Sequence, residues 1–348
     1  MASRFAALLT AVTLALVPLA GTASAAPAAP AAPRTLLPDD AAAGWLARQL
    51  VDGDHLETSF GGVGYPDQGL TIDAVFAFAA AKVADDAAAR ATAWLARPEN
   101  VTAYIGDGGD EAYSGATAKL LLAAQVRRAD PRSFGGVDLP ARLRSLLTPS
   151  GRFTDRSAFG DFSNAFGQSY AILALNRTAA KAPASASAYL AGQQCADGGV
   201  PITFELTPCV GDVDATALAV QALRSAGRGT AAHRGVAWLA SKQQPGGGLA
   251  AGDGTGTPNA NSTGVAGQAF ADARRVLPAL KAGLYLAKLQ VRCAGAVADR
   301  GAIPFDATGA DPATTARATA QGVLGLTGVG LSRLTAAGSR PGAPVLAC

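Results

Sequence analysis

The chain has 348 residues, of which 49% are hydrophobic but only 6% aromatic, and its formal net charge is +3. This near-neutral charge argues against the strongly basic surface that binds nucleic acid or an anionic membrane. Much of the hydrophobic content is alanine, and glycine is also abundant. The composition therefore favours closely packed helices over a large aromatic pocket.

The N-terminus has the pattern of a secretory signal peptide over residues 1–25. A charged start at Arg4 precedes an apolar stretch over residues 5–19 and a small-residue cleavage site at residues 23–25. The apolar stretch is too short for a spanning helix, and no later stretch qualifies as one. We therefore expect a secreted protein without a membrane span in the mature chain, which would begin with an Ala/Pro linker over residues 26–34. An uncleaved anchor is the alternative.

From residue 35 to residue 335, one sequence unit returns six times at a period of about 46 to 49 residues. Each unit has a first helix with an aromatic or leucine anchor, a glycine-rich loop and an alanine-rich second helix. The anchors are, in chain order, Trp45, Trp94, Leu143, Tyr189, Trp238 and Tyr285. Each unit buries its apolar face only against its neighbours, so the repeat predicts one domain over residues 35–335.

The two helices of a unit differ in their polarity. The first is amphipathic, whereas the second carries little charge on any face, which indicates a helix enclosed by others. The second helices are predicted at residues 73–81, 115–124, 169–175, 214–223, 263–270 and 315–326. Long loops join the two helices, whereas open solenoids with a similar period use short turns. We therefore predict an all-α fold, an (α/α)6 toroid in which six outer helices surround six inner helices.

Four cysteines follow the leader, and they allow three disulfide pairings. Cys195 and Cys209 flank one loop of the fourth unit. We predict the pairs Cys195–Cys209 and Cys293–Cys348, the second of which would tie a C-terminal tail over residues 336–348 onto the body. A zinc site is less favoured, because the sequence has no C-x-x-C and both histidines lie far from every cysteine.

An aromatic-Leu-x-x-Gln pattern marks several first helices, as at residues 45–49 and 189–193, and Gly-Gly loops and polar starts of the second helices follow it. These features resemble the terpenoid cyclase and protein prenyltransferase toroid superfamily, with its prenyltransferase and squalene oxidase repeats. The likeness covers nearly the whole mature chain and is sharpest over residues 211–217. It implies a ligand site where the inner helices begin. Members include cyclases, prenyltransferase β subunits, complement thioester domains and cobalamin carriers, so the resemblance does not choose an activity.

The cyclase interpretation depends on two aspartates. Class II terpene cyclases hold their acid in a D-x-D-D motif, and residues 212–215 read Asp-Val-Asp-Ala. Asp214 aligns with the family's proton donor, but Ala215 replaces the neighbouring carboxylate, and few aromatics are present to stabilise carbocations. Helix capping by Asp212 or Asp214 is the simpler interpretation, and contact with a ligand is the third.

Other chemistries find less support in the sequence. The zinc-binding D-x-C of prenyltransferases and the Cys-Gly-Glu-Gln of thioester proteins are absent, and residues 167–171 match a nucleophile elbow only in part. Asp73 and Asp214, three units apart, should lie on opposite sides of the ring, too far apart for a glycosidase pair. The candidate calcium ligands Asp107, Asp110, Glu111 and Asp253 are better explained as solvated turns. We expect no metal and no cofactor.

An alignment of the inner helices by their predicted starts places short polar side chains at two adjacent levels, two residues apart in sequence, around the mouth of the ring. The candidate ligand-binding residues are Thr71, Asp73, Tyr113, Gln168, Asp212, Asp214, Asn261, Thr263 and Thr315. The set contains no nucleophile–base pair, which favours hydrogen-bonding recognition of a polar ligand. Our leading hypothesis is a secreted, non-catalytic toroid that binds an unknown small molecule or protein partner there. The alternatives are a cyclase-like enzyme with Asp214, next to Asp212, as general acid, and a cell-envelope interaction protein with a closed ring centre.

Overall fold

The computed structural model describes residues 32–348. The predicted signal peptide and most of the predicted linker lie outside these residues. The helices are α1 (Pro38–Ala47), α2 (Gln68–Ala81), α3 (Asp85–Leu95), α4 (Pro98–Ile105), α5 (Ser114–Arg127), α6 (Leu139–Arg144), α7 (Ala165–Asn176), α8 (Ala184–Gly192), α9 (Val213–Ser225), α10 (Gly229–Lys242), α11 (Ala260–Asp272), α12 (Val276–Leu289) and α13 (Thr315–Thr327). The strands are β1 (Arg34–Thr35), β2 (Glu57–Phe60), β3 (Val63–Pro66), β4 (Leu249–Ala250), β5 (Pro258–Asn259) and β6 (Val345–Leu346).

Six helices form a closed inner ring, in the order α2, α5, α7, α9, α11 and α13. Each packs on the next, and α13 packs on α2. The outer helices cover the seams between them; for example, α8 contacts α7 and α9, and α10 contacts α9 and α11. Helix α1 contacts both α13 and α2, so the first outer helix covers the seam where the ring closes. The predicted (α/α)6 toroid is confirmed.

Close packing of the inner ring depends on small residues. A Cβ atom at Gly264 of α11 would overlap the Gln321 carbonyl oxygen of α13, and a Cβ at Gly325 would overlap the Gly264 backbone. Large side chains are buried in both rings: the outer anchors Trp45, Trp94, Leu143 and Trp238 are buried, as are Phe76 of α2 and Phe270 of α11. Glycine at these contacts allows the inner helices to approach one another closely.

The C-terminal tail lies across the seam of the ring. Strand β6 pairs in parallel with β1, with Arg34 opposite Val345, and the Pro344 carbonyl packs directly on Gly44 of α1. Both predicted disulfides, Cys195–Cys209 and Cys293–Cys348, are formed. The second ties the last residue to Cys293, in the loop after α12, and so holds the tail on the body as the sequence predicts.

The predicted common level of the inner-helix starts is wrong, because the N-cap residues set a different register. Asp67, Asn164, Asp212 and Asn259 cap α2, α7, α9 and α11 by accepting hydrogen bonds from the first turn. Asp73 therefore lies six residues after its cap, whereas Asp214 lies only two residues after its own. On a helix, this difference moves Asp73 about one turn deeper into the ring than Asp214.

Candidate ligand-binding site

A cavity of about 140 Å³ lies at the centre of the inner ring. We call it the axial cavity. Its lining residues are Asp73, Phe166, Tyr170, Asp214, Leu218, Gln221, Val265, Gln268, Gln321, Leu324 and Leu331. They come from five of the six inner helices and the segment after α13. The ring centre is therefore not filled by side chains. The interaction-protein hypothesis requires a filled centre, so this cavity speaks against it.

Asp212 and Asp214 have different roles at the start of α9. The Asp212 carboxylate accepts a hydrogen bond from the Ala215 N–H at 2.7 Å, so it is the N-cap. Asp214 lines the axial cavity instead. Its Oδ1 is buried and has no hydrogen-bond partner among residues 32–348. Burial raises the pKa of Asp214 to about 6, although the nearby Ser262 hydroxyl offsets part of the shift.

A second unpaired acceptor belongs to the neighbouring helix α11. The Oδ1 of Asn261 is buried and, within the described chain, accepts no hydrogen bond. Asn261 lies one turn before the cavity-lining Val265, on the same face of α11. A buried acceptor without a donor costs about 1–3 kcal/mol. Asp214 and Asn261 thus leave two buried acceptors without donors next to the axial cavity.

On the opposite wall of the axial cavity, the carboxylate of Asp73 is paired with cations. Asp73 on α2 forms ion pairs with Lys119 of α5 at 2.6 Å and with Arg317 of α13 at 3.4 Å. Arg317 also reaches the N-cap Asp67 at 3.1 Å. Burial, and secondarily the Asp73 charge, raises the pKa of the nearby Tyr170 hydroxyl. The charge of Asp73 is therefore balanced by two cations, whereas Asp214 has none.

Residues 328–334, which we call the plug segment, close the C-terminal end of the axial cavity. The Leu331 N–H donates to Gln221 Oε1 at 2.9 Å, and the Gln268 side-chain amide donates to the Val329 carbonyl at 2.7 Å. The two glutamines also bond each other at 3.0 Å. A ligand would therefore enter from the other end, where the long loops precede the inner helices.

Several predicted site residues hold the loops onto the inner helices. Thr71 and Thr263 accept hydrogen bonds from the Leu56 and Leu249 N–H groups, and Gln168 bonds three backbone groups. Tyr113 donates to Glu111, and Thr315 accepts from the Asp311 N–H. These side chains already have partners within the fold. Of the predicted set, Asp73 and Asp214 line the axial cavity and Asn261 adjoins it.

Sequence reasoning missed Lys119 and Arg317, which balance Asp73. A signal was present, because charged residues are almost never fully buried without a partner, and both lie inside helices predicted to be enclosed. The partners themselves could not be predicted, since the ion pairs join three different inner helices. They form only when the ring closes.

The described chain gives no support for a metal site or a spanning helix. Asp107 and Asp253 accept hydrogen bonds from the nearby Gly109 and Thr255 N–H groups, as expected for turns. Residues 32–348 contain no cluster of three or more side chains suited to hold a metal ion. In the same range, none of the helices has the length and apolar character needed to cross a bilayer.

Comparisons with solved structures give matches of the same fold. A type II terpene cyclase, MstE from Scytonema, is 15% identical, with a TM-score of 0.59 over 83% of this chain and 96% of its own. An unsaturated glucuronyl hydrolase from a Bacillus species, responsible for degradation of glycosaminoglycan, is 11% identical, with a TM-score of 0.58 over 83% and 95%. A protein from Actinoplanes is 13% identical, with a TM-score of 0.59 over 84% and 98%.

These identities support a comparison of folds alone. Neither protein-family models nor curated protein sequences give a match to the chain.

Proposed function

We propose that this protein is exported and binds a small molecule in the axial cavity, where Asp214 recognises a hydrogen-bond donor. The observation that carries the proposal is that Asp214 lines the axial cavity while its buried Oδ1 lacks a partner in the described chain. An ammonium group is the best complement, because a charge-assisted hydrogen bond to a carboxylate is roughly twice as strong as a neutral one. A lysine side chain of a protein partner would present the same group.

The size of the axial cavity limits what it can enclose. Sites for drug-sized ligands measure about 300–1,000 Å³, whereas this cavity has about 140 Å³. It can therefore hold one functional group, and the rest of a larger ligand would lie at the loop face. Exposed apolar side chains occur on the loops there, namely Phe60, Phe159, Phe162, Leu206 and Val210. This arrangement favours an amphiphilic ligand with its polar end in the ring.

The surroundings of Asp214 favour binding over turnover. The position that would carry a second carboxylate is Ala215, which is buried. The other carboxylate of the axial cavity, Asp73, is engaged by Lys119 and Arg317. Asp214 therefore lacks a free base nearby with which to exchange a proton in a catalytic cycle.

The binding proposal predicts a pH-dependent affinity for alkylamines. Hexylamine should bind the mature protein at pH 7.5, and its affinity should fall by more than tenfold at pH 4.5, where a carboxyl group of pKa about 6 is mostly protonated. Asp214→Asn should show weak binding at both pH values. Isothermal titration calorimetry with hexylamine, and with hexanol as the uncharged probe, measures both effects.

Asp253→Asn is the matched control, because Asp253 is exposed on a loop and accepts only local hydrogen bonds. It should bind hexylamine as the wild type does. Equal hexylamine affinity of wild type and Asp214→Asn would contradict the proposal, as would the absence of hexylamine binding to the wild type.

Acid catalysis by Asp214 is the second candidate function. A pKa of about 6 leaves part of the carboxyl population protonated near neutral pH, which suits a general acid. A type II terpene cyclase shares the toroid fold. The axial cavity is too small to enclose a chain as long as squalene, so a short isoprenoid is the better substrate.

Incubation with squalene and with linear isoprenyl diphosphates, followed by product analysis, tests this function. Products made by wild type but not by Asp214→Asn would favour catalysis, and equal inertness would eliminate it.

A further inference from the structure

A groove of about 650 Å³ lies at the end of the toroid opposite the mouth of the axial cavity. It is bounded by the C-terminal ends of α5 and α7 and by the outer helix α6. Its polar lining includes four arginines, Arg128, Arg132, Arg144 and Arg177. We call it the arginine groove. Its volume falls within the range of about 300–1,000 Å³ that is typical of sites for small ligands.

The four guanidinium groups are not neutralised by the fold. None of them forms an ion pair with a carboxylate of residues 32–348. The carboxylate that lines the groove, Asp138, caps α6 by accepting from the Ala141 N–H at 2.9 Å. The nearby Asp130 accepts from the Arg132 N–H and the Ser133 hydroxyl. Both acidic side chains are thus occupied by local hydrogen bonds.

Helix capping explains only part of this cluster. Cations are favoured at helix C-termini, and Arg128 and Arg177 follow the last turns of α5 and α7. Arg144 is the last residue of α6, so the same effect applies to it, whereas Arg132 lies in the loop after α5 and is not explained by a helix end. Arg127, the neighbour of Arg128 in sequence, pairs with Asp85 at 2.6 Å. The charge of Arg127 is therefore balanced by Asp85, whereas Arg128 lines the groove.

We propose that the arginine groove binds a small oligoanion that carries two or more phosphate groups. Guanidinium groups bind phosphate oxygens through paired N–H donors in a fixed geometry. Arg144 and Arg177 are held in place by bonds to the Lys181 and Leu331 carbonyls, and each keeps further N–H donors for a ligand. Arg128 and Arg132 are exposed at the rim of the groove. This site is separate from Asp214 and does not depend on the function proposed above.

Calorimetric titration of the mature protein with inorganic tripolyphosphate, in low-salt buffer, tests the proposal. Wild type should bind tripolyphosphate more tightly than monophosphate or citrate, which separates a phosphate site from a general anion site. The double variant Arg128→Gln/Arg132→Gln should bind it at least tenfold more weakly. Asp214→Asn should bind it as wild type does.

The double variant Arg274→Gln/Arg275→Gln is the matched control, because it removes the same charge from an exposed pair outside the groove. Its affinity for tripolyphosphate should stay within twofold of wild type. Equal weakening by both double variants would show general charge attraction and overturn the proposal. Absence of tripolyphosphate binding to wild type, or tighter binding of citrate, would overturn it as well.

Discussion

Replacement of Lys119 by methionine should lower the free energy of unfolding by about 3 kcal/mol, the low end of the cost of breaking a buried ion pair, because Asp73 loses the closer of its two cations. The Lys119 and Asp73 side chains are only 14% and 6% exposed. In the variant, Asp73 would keep only the longer contact to Arg317 at 3.4 Å. Urea denaturation followed by circular dichroism at pH 7.5 measures the loss.

The exposed pair of Arg90 and Asp86 provides the control. These side chains are 52% and 46% exposed, so Arg90→Met should cost no more than about 1 kcal/mol. The double variant Asp73→Asn/Lys119→Met should recover part of the Lys119→Met loss, because no unpaired carboxylate remains. Similar costs for Lys119→Met and Arg90→Met would show that the wall of the axial cavity is solvated, contrary to the structure.

Removal of the Cys293–Cys348 disulfide should lower stability by about 4 kcal/mol on the chain-entropy estimate for its sequence separation of 55 residues. The tail that this bond holds is part of the closure of the ring. The Arg340 N–H donates to the Lys82 carbonyl, and the Ala84 N–H donates to the Gly342 carbonyl. Thermal unfolding of Cys293→Ser/Cys348→Ser should therefore occur at a lower temperature than that of the wild type.

The second disulfide offers an internal comparison. Cys195–Cys209 has a sequence separation of 14 residues, for which the same estimate gives about 3 kcal/mol. Limited proteolysis of Cys293→Ser/Cys348→Ser should cleave the tail first, whereas Cys195→Ser/Cys209→Ser should keep its tail protected. A tail that resists proteolysis equally in both variants would mean that the disulfide does not hold the seam.

The toroid could be predicted from the sequence because its signals are local and repeated. Each anchor, such as Trp45 or Trp238, marks an outer helix, and each stretch of small apolar residues marks an inner one. Because the unit occurs six times, the one copy whose anchor is a leucine rather than an aromatic residue, Leu143, does not change the inference. The pairing of Cys195 with Cys209 could also be predicted, because both residues flank one loop.

The register of the inner helices could not be predicted in the same way. The apolar stretch of α2 suggests a start at Asp73, but the helix begins at Gln68, after the cap Asp67. Loops rich in Gly, Asp and Asn contain many potential caps, and only the fold selects among them. The sequence also could not show which of Asp212 and Asp214 is the N-cap of α9. This choice is decided by the hydrogen bond from the Ala215 N–H to Asp212.

The chemical environment of the candidate site depends on contacts between distant units. Asp73 and Asp214 could be selected from the sequence, but the two cations that balance Asp73 come from other inner helices. The plug segment has no periodic signal, and its bonds to Gln221 and Gln268 form only in the closed ring. The size of the axial cavity is therefore a property of the assembled ring.

A pKa raised by burial also affects stability, with a defined sign. The folded-state pKa of Asp214 is about 6 and its ordinary value is 3.8. The folded protein therefore binds the proton more tightly, and stability falls as pH rises from about 4 to 6. A shift of this size corresponds to a loss on the order of 2–3 kcal/mol above pH 6. Asp214→Asn should avoid this loss.

The most direct measurement is the titration of the Asp214 carboxyl carbon by NMR in the ligand-free protein, with Asp214→Asn used to assign the signal. We expect a midpoint near pH 6, because the carboxyl group is largely buried beside the axial cavity and its Oδ1 has no partner in the described chain. A midpoint near pH 4 would mean that water or a donor already satisfies Asp214. That result would contradict its role as the recognition group of the axial cavity.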